Sequence, residues 1–365
     1  MTVFERYIPG LKGFPPLFTY TLLLGCGFGA FITWDQWYWW GRREDYSFGY
    51  LVPVFVVVVI WDRWPQLRAL LGLNAGNPGA KPNEEGIEAV TNKSPSPALA
   101  FDWVTGSLFF FVKWVIPVGF YGGLIFGLLV FGLGAFYRAG AGPSHPGSLF
   151  IAIGAGMVVF ALVYINLPDS SEAWKEQTGQ DLEPPAVLNR RLTTTLVFWF
   201  PCFIWIISAP LVSFIENWLS LFLLNKVVTV VFFVFEMGGY ALVQEGNTLL
   251  LPTGRVGVED ACSGIRSLMG CLFAGTFLGA IFFQSITKKV LLVVFAMGFA
   301  FITNLMRSIF LTAWAYSYGP DAISGFVHDA AGYFVLGLTS VLLLALIPIM
   351  NIQITVKSAP ESKAV

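Results

Sequence analysis

Eight apolar runs set the strongest constraint on what this chain can fold into. They cover residues 17–34, 48–61, 104–137, 149–167, 192–215, 267–286, 290–316 and 330–350. A helix of about 20 apolar residues crosses the hydrocarbon core of a bilayer, which is roughly 30 Å thick. Only 12% of the residues are charged, against about 25% in soluble domains. The sequence therefore predicts an all-α polytopic membrane protein, with about eight transmembrane helices in a single membrane domain over residues 1–350.

Two segments outside these runs are predicted to lie outside the membrane. Residues 62–102 are rich in Gly, Pro, Asn and Ser with scattered charges, which is typical of a flexible linker. Residues 351–365 form a short polar tail. We expect no cleavable signal peptide, because the first apolar run is long and lacks a small-residue cleavage site. The net charge of −1 argues against a nucleic-acid partner.

The segment 216–262 has a different character. Its first part, 218–243, is apolar but is broken by three polar or charged residues. We expect a helix there that lies at the membrane interface or dips into it, with a full span as the alternative. Two short apolar stretches then flank a Pro-Thr-Gly-Arg turn, which predicts a β-hairpin over 247–258.

Basic residues predict the orientation of the chain. With both termini on the inner side, thirteen of the 21 Lys and Arg residues fall in inner segments, seven fall in outer segments, and Lys113 falls within a span. Inner segments of membrane proteins carry the excess of basic residues, so this orientation is favoured over its inverse. It makes the linker 62–102 and the tail 351–365 cytoplasmic, and it places the segment 216–262, with Cys262, at the outer face.

Three chemically capable residues then fall at one depth on the outer side. Cys262 lies where a polar segment enters the run 267–286, next to the unpaired amides of a helix start, which favour a thiolate. Arg307 lies seventeen residues after Val290, about 26 Å along a helix and near the outer edge of the membrane. His328 precedes the last run. A thiolate, a proton shuttle and a cation are what acyl transfer needs.

Each of these residues also has a simpler interpretation. A membrane cysteine is usually a small buried residue, and an arginine near a helix end can extend to the lipid headgroups. A loop histidine is usually just solvated, which is what we expect of His145. Arg266 or Asp329 could also perform part of the chemistry. The residue types alone therefore leave the assignment open.

Two readings without acyl transfer also remain open at this point. A transporter would use Lys113 and the pair Gly122-Gly123 in a bent span, and an assembly scaffold would need no chemistry. The four cysteines show neither paired nor metal-type spacing, so we expect no disulfide, no metal and no cofactor.

Three motifs at the candidate residues resemble those of the exosortase/archaeosortase family. Residues 258–266, with Ala261-Cys262-Ser263-Gly264 at their centre, resemble its nucleophile motif. Residues 304–307 are similar to its Asn-x-x-Arg element, and residues 328–332 are similar to its His-x-x-x-Gly element. Each motif is short, but they follow one another in the family's order.

Two further segments extend the resemblance over most of the chain. Residues 245–254 resemble the segment that precedes the cysteine, and residues 45–53 are similar to a Tyr-Ser-His-Gly-x-Leu-Val-Pro element. Two departures are visible. Phe48 replaces the usual histidine of that element, and Asp260 replaces the usual glutamate before Ala-Cys.

The resemblance implies a membrane-embedded cysteine transpeptidase that works without a cofactor or metal. Cys262 would be the nucleophile that forms a thioester, His328 the general acid and base, and Arg307 the group that positions the scissile carbonyl or its oxyanion. It also implies supporting or substrate-binding roles for a set of motif residues: Asp260, Ser263, Gly264, Arg266, Asn304 and Gly332.

The same resemblance implies the partners and the location. The substrates would be exported proteins with a C-terminal sorting signal of the PEP-CTERM type, made of a short motif, one transmembrane helix and a basic cluster. The protein would be a multi-pass protein of the bacterial inner membrane, with its site facing the periplasm.

Overall fold

The computed structural model describes residues 13–73, 107–178, 181–257, 264–283 and 285–351. These residues form eleven α-helices, three β-strands and two short 3₁₀ segments. The helices are α1 Pro16–Trp40, α2 Val52–Leu70, α3 Ser107–Ala141, α4 His145–Ile165, α5 Ser171–Thr178, α6 Pro184–Val197, α7 Trp199–Ser208, α8 Ser213–Met237, α9 Ile265–Phe282, α10 Ile286–Tyr318 and α11 Phe326–Asn351. The strands are β1 Val243–Glu245, β2 Thr248–Leu251 and β3 Gly254–Gly257, and the 3₁₀ segments are Glu44–Leu51 and Pro320–Ile323.

Nine helical stretches of the described residues are long and apolar enough to cross a membrane. Eight of them correspond to the predicted runs, with α6 and α7 acting in series as one stretch, and the ninth is α8. The prediction of an all-α polytopic membrane protein with about eight spans is confirmed. Helix α2 continues to Leu70, so residues 62–70 of the expected linker are helical. The rest of that linker beyond residue 73 lies outside the described residues.

Helices α3 and α4 show why small residues recur in these apolar runs. Helix α4 starts at a capped turn, where the side chain of Ser144 accepts a hydrogen bond from the backbone N–H of Gly147. A Cβ at Gly154 would lie 2.3 Å from the backbone nitrogen of Phe131, so the two backbones touch directly. Glycine at the contact therefore permits the close packing that holds membrane helices together.

The helix bundle has two ends, which are defined here by α9. We call the end where α9 begins at Ile265 the site face, and the end where α9 stops and α10 starts the far face. Helix α8 begins at the site face, because Glu216 in its first turn pairs with Arg43. Arg43 in turn pairs with Asp45, which contacts Arg266 at the start of α9.

The other end of α8 also lies on the site-face side. Phe235 packs against Tyr316 of α10, with ring centroids 6.4 Å apart. Tyr316 is twelve residues past Asn304, which lies against Gly264 at the start of α9, so it extends about 18 Å beyond the site face. Helix α8 therefore lies beside α10 over this part of its length. It is also long and apolar enough to cross a membrane, so both alternatives for this segment stay predictions.

The three strands form an antiparallel sheet in the order β1-β2-β3 that covers α8. Leu249 pairs with Val256 across β2 and β3, so the predicted hairpin is present, and β1 adds a third strand before it. Both side chains are buried against the apolar stripe of α8. The hydroxyl of Thr253 donates to the carbonyl oxygen of Ala315 at 3.0 Å, which ties the sheet to the outer end of α10.

Candidate active site

Arg307 and His328 come together at the site face from two successive helices. Arg307 lies on α10, and His328 lies in the first turn of α11, just after a turn at Gly325 with a φ of +65°. Nη2 of Arg307 lies 2.9 Å from Nε2 of His328 and 3.4 Å from its backbone oxygen. The structure thus joins the predicted cation and the predicted proton shuttle.

This contact determines which nitrogen of His328 carries the proton. A guanidinium only donates hydrogen bonds, so Nε2 of His328 has to accept one from Arg307. The proton of the neutral ring then lies on Nδ1, which is 3.2 Å from Oδ1 of Asp329 and donates to that carboxylate. The ring is therefore held between a donor at one nitrogen and an acceptor at the other.

The guanidinium of Arg307 has a buried N–H group, at Nε, that is not hydrogen-bonded among the described residues. An unpaired buried donor costs about 1–3 kcal/mol, so an acceptor that reaches this position is stabilised. Gly332 lies beside the guanidinium, since a Cβ there would be 3.5 Å from Nη2. An alanine side chain at Gly332 would make ordinary van der Waals contact with the guanidinium.

Gly264 brings the start of α9 against Asn304. Its φ of +70° lies in the left-handed region that favours glycine. A Cβ at Gly264 would also lie 2.9 Å from Nδ2 of Asn304, and only 3% of Asn304 is exposed. Both the conformation and the available space therefore require glycine at this position.

Three of the predicted residues, Cys262, Asp260 and Ser263, fall in the segment 258–263, which lies outside the described residues. Gly264 is the first described residue after this segment. Asn304, which Gly264 touches, is one helical turn before Arg307 on α10. The described chain therefore resumes one helical turn away from Arg307.

Arg266 is engaged elsewhere and makes no contact with Arg307 or His328 in the described structure. One of its nitrogens lies 2.6 Å from Oε2 of Glu44, and Nε lies 3.5 Å from Oδ1 of Asp45. These carboxylates neutralise its charge at the first turn of α9. No partner of Arg266 was predicted from the sequence, although the acidic pair Glu44-Asp45 before the Tyr-Ser motif was a visible signal of one.

A chain of ion pairs continues from these carboxylates to α8. Arg43 pairs with both Asp45 and Glu216. Burial acts to lower the pKa of Arg43, but its hydrogen bond to Glu216 and the negative charges of Glu216 and Asp45 outweigh that effect and raise the pKa. Arg43 therefore stays charged and links the 3₁₀ segment Glu44–Leu51 to the start of α8.

That 3₁₀ segment packs directly on α9. The ring of Phe48 stacks on Phe273 with centroids 5.0 Å apart, and the hydroxyl of Tyr46 accepts a hydrogen bond from the backbone N–H of Leu211 at 3.0 Å. Phe48, which stands at the motif's histidine position, thus serves packing in this chain. The segment's contribution to the site is to hold the first turns of α9.

His145 has partners, so the expectation that it is simply solvated is wrong. Its side chain is 18% exposed, and Nδ1 lies 4.0 Å from Oε2 of Glu216 and 3.2 Å from Oγ of Ser213. Its ring meets Trp39 edge to face, with centroids 4.5 Å apart. His145 is half-buried at the start of α4, between α1 and α8, and short-range sequence context does not reveal these partners.

Comparison with known proteins identifies the family. The family described as transmembrane exosortase matches residues 39–345, a range that contains Cys262, Arg307 and His328. No curated protein and no solved structure matches the chain. The match spans most of the sequence and includes all the candidate site residues. The chain therefore belongs to the transmembrane exosortase family, whose members are membrane-embedded transpeptidases that act on the sorting signals of exported proteins.

Proposed function

We propose that this chain cleaves C-terminal sorting signals with Cys262 as its nucleophile, and that it does so at the outer face of the bacterial inner membrane. The observation that carries the proposal is the contact of 2.9 Å between Arg307 and His328. It lies one helical turn from Asn304, the residue against which Gly264 is packed. Cys262 comes two residues before Gly264 in the sequence, so we expect its thiol to come within reach of this base and this cation.

The first step is the transfer of a proton from the thiol of Cys262 to Nε2 of His328. Arg307 occupies that nitrogen in the free protein, so its guanidinium has to shift when the thiol and the substrate enter. Asp329 keeps the proton on Nδ1 and so leaves Nε2 as the basic nitrogen. Asp329 is thus a positioning residue that acts through His328.

The thiolate then attacks the scissile carbonyl carbon, and the carbonyl oxygen becomes an oxyanion. The displaced guanidinium of Arg307 carries the unpaired Nε donor, and its planar set of N–H groups suits a developing oxyanion. As the tetrahedral intermediate collapses, the peptide C–N bond breaks and the leaving amine takes the proton from His328. The products are a thioester on Cys262 and a released membrane helix.

Arg266 has a different role in this account. Its pairing with Glu44 and Asp45 anchors the first turn of α9, and Gly264 sits at the cap of that helix. Asn304 is proposed to support the start of α9, because it lies against Gly264. Gly332 is proposed to leave space for the guanidinium of Arg307 beside it. Asp260 and Ser263 are proposed to shape the loop around the nucleophile.

A transporter is not favoured by the described residues. Helix α3 is continuous over Ser107–Ala141, the side chain of Lys113 is exposed, and nothing lies within 4 Å of a Cβ placed at Gly122 or Gly123. Transporter sites instead use interrupted helices whose ends face a substrate inside the bundle. This part of α3 is oriented toward lipid.

The proposed function is tested by co-expressing the protein with an exported substrate that carries a tagged sorting signal. Wild type is expected to shorten the substrate, and Cys262→Ser is expected to leave it at full length with unchanged enzyme level. Cys271→Ser is the matched control, because Cys271 lies six residues, about 9 Å, after the start of α9 and is buried. Cleavage by Cys262→Ser at the wild-type rate would refute the proposal.

A further inference from the structure

A second charged cluster lies at the far face, where α2, α9 and α10 meet. Nη2 of Arg63 in α2 donates to the carbonyl oxygen of Ala280 in the last turn of α9, at 2.6 Å. Lys288 and Lys289 lie in the first turn of α10. Lys289 packs against the end of α9, since a Cβ at Gly279 would lie 3.5 Å from the Cα of Lys289. Three cations therefore surround one helix end.

The charges of this cluster are not balanced within the described part of the chain. Arg63, Lys288 and Lys289 make no ion pair there, and the one nearby carboxylate, Asp62, lies next to Arg63 in sequence and is exposed. A helix C-terminus carries roughly half a negative charge. Together with Asp62 it offsets about one and a half of the three positive charges. An excess of more than one positive charge remains.

The cluster borders an apolar surface. Four large side chains around it are well exposed, namely Trp61 at 81%, Phe282 at 49%, Ile286 at 57% and Val290 at 56%. Lys288 adds to this boundary, because its Nζ lies 5.9 Å from the ring centroid of Phe283. Cations next to an exposed apolar surface at the end of membrane spans fit a ligand with an anionic head and apolar chains.

We propose that Arg63, Lys288 and Lys289 form a binding site for the headgroup of an anionic phospholipid. Arg63 uses one N–H for Ala280 and keeps further donors for a phosphate, which arginine binds in a forked geometry. The two lysines supply charge from the other helix, and the acyl chains lie along Phe282 and Ile286. The site is separate from Cys262 and does not depend on the proposed catalysis.

The test uses the full chain, purified in detergent and then titrated with phosphatidylglycerol, phosphatidylcholine or inorganic phosphate. Bound lipid is counted by native mass spectrometry, and thermal unfolding is followed in parallel. Each basic residue near a membrane contributes roughly a factor of five in affinity. The triple variant R63Q/K288Q/K289Q is therefore expected to bind phosphatidylglycerol on the order of 10²-fold more weakly than wild type.

A matched control removes three cations from the site-face side, in the variant R42Q/K226Q/R255Q, and is expected to bind as wild type does. The single variant K288Q guards against misfolding, because Lys288 makes no hydrogen bond or ion pair in the described structure, and it is expected to lose about five-fold. Equal binding by the triple variant and wild type would overturn the proposal. So would equal stabilisation by phosphatidylcholine or by phosphate alone. A wild type that does not bind phosphatidylglycerol would also overturn it.

Discussion

At the scale of single residues, the two arginines near the candidate site differ in what they need from their side chains. Arg307 uses a guanidinium nitrogen to contact both a ring nitrogen and a backbone oxygen of His328. Arg266 pairs with two carboxylates through two of its nitrogens, but its side chain is 62% exposed, so each pair contributes little. A substitution by lysine keeps the charge and removes the planar set of donors, so it separates the two roles.

We expect Arg307→Lys to be nearly as damaging as Arg307→Ala, and Arg266→Lys to be mild. The measurement is the processing of a tagged substrate in membranes, normalised to enzyme level. An exposed ion pair is worth only about 0.2–1 kcal/mol, so even Arg266→Ala is expected to leave much of the activity. The opposite ranking, with Arg307→Lys active and Arg266→Lys inactive, would exchange the two roles.

Asp329 gives a second prediction at this scale. His328→Ala is expected to slow processing by roughly 10²–10⁴-fold, as the loss of a proton shuttle usually does. Asp329→Ala is expected to cause a smaller loss, because it removes only the hydrogen bond from Nδ1 of His328 that orients the ring. Asp329→Asn keeps an acceptor oxygen and should recover part of that loss. If Asp329→Ala and Asp329→Asn were equally impaired, the hydrogen bond to Nδ1 would not be the cause.

At the scale of elements, the start of α9 depends on one glycine. A non-glycine residue in the left-handed region costs roughly 1–2 kcal/mol, and a Cβ at Gly264 would in addition meet Asn304 at 2.9 Å. We expect Gly264→Ala to lower the unfolding temperature and the processing rate. Combining it with Asn304→Ser, which shortens the opposing side chain, should restore part of the stability. No recovery of the unfolding temperature in the double variant would mean that backbone strain alone sets the cost.

Helix α8 provides the prediction on topology. Both of its ends lie on the site-face side of the bundle, through Glu216 and Phe235. In a variant without native cysteines, new cysteines at Asn217 and Glu236 should both react with a membrane-impermeant maleimide in intact cells. A cysteine at Lys288 should react only after permeabilisation. Labelling of position 236 only after permeabilisation would show that α8 crosses the membrane.

Some elements of the fold could be predicted from the sequence and others could not. The spans were predictable because length and apolar composition suffice to identify a membrane helix. Helix α8 passes the same criterion and also packs beside α10, so length and composition alone do not predict whether it crosses the membrane. The hairpin was predictable from its turn, whereas β1 was not, because three exposed or half-buried residues carry little pattern.

At the scale of the whole molecule, the meeting of Arg307 and His328 was predictable from the basic residues and the rise of a helix. The distribution of basic residues predicts on which side of the membrane a residue lies, and the rise of a helix predicts its depth. They do not fix side-chain partners, so the pairing of Arg266 with Glu44 and the orientation of His328 by Asp329 emerged only from the structure. The partners of His145 were missed for the same reason.

The cysteines give a prediction for the molecule as a whole. Cys202 and Cys271 are buried and Cys26 is exposed on α1. The hydrogen bonds of Arg307 in the described structure go to His328 and to none of these cysteines. A variant with Cys26→Ser, Cys202→Ala and Cys271→Ala is expected to process substrate at close to the wild-type rate. Loss of processing at an unchanged protein level would mean that one of these thiols participates in the reaction.

That variant also permits the most direct test of the central claim, which is that Cys262 forms a thioester with the substrate at the Arg307–His328 site. The measurement is mass spectrometry of the enzyme after incubation with a tagged substrate, with and without hydroxylamine, which cleaves thioesters. We expect an adduct on Cys262 that ends at the cleavage site and disappears with hydroxylamine, and no adduct in Cys262→Ala. Substrate cleavage without any adduct on Cys262, or an adduct on another residue, would contradict it.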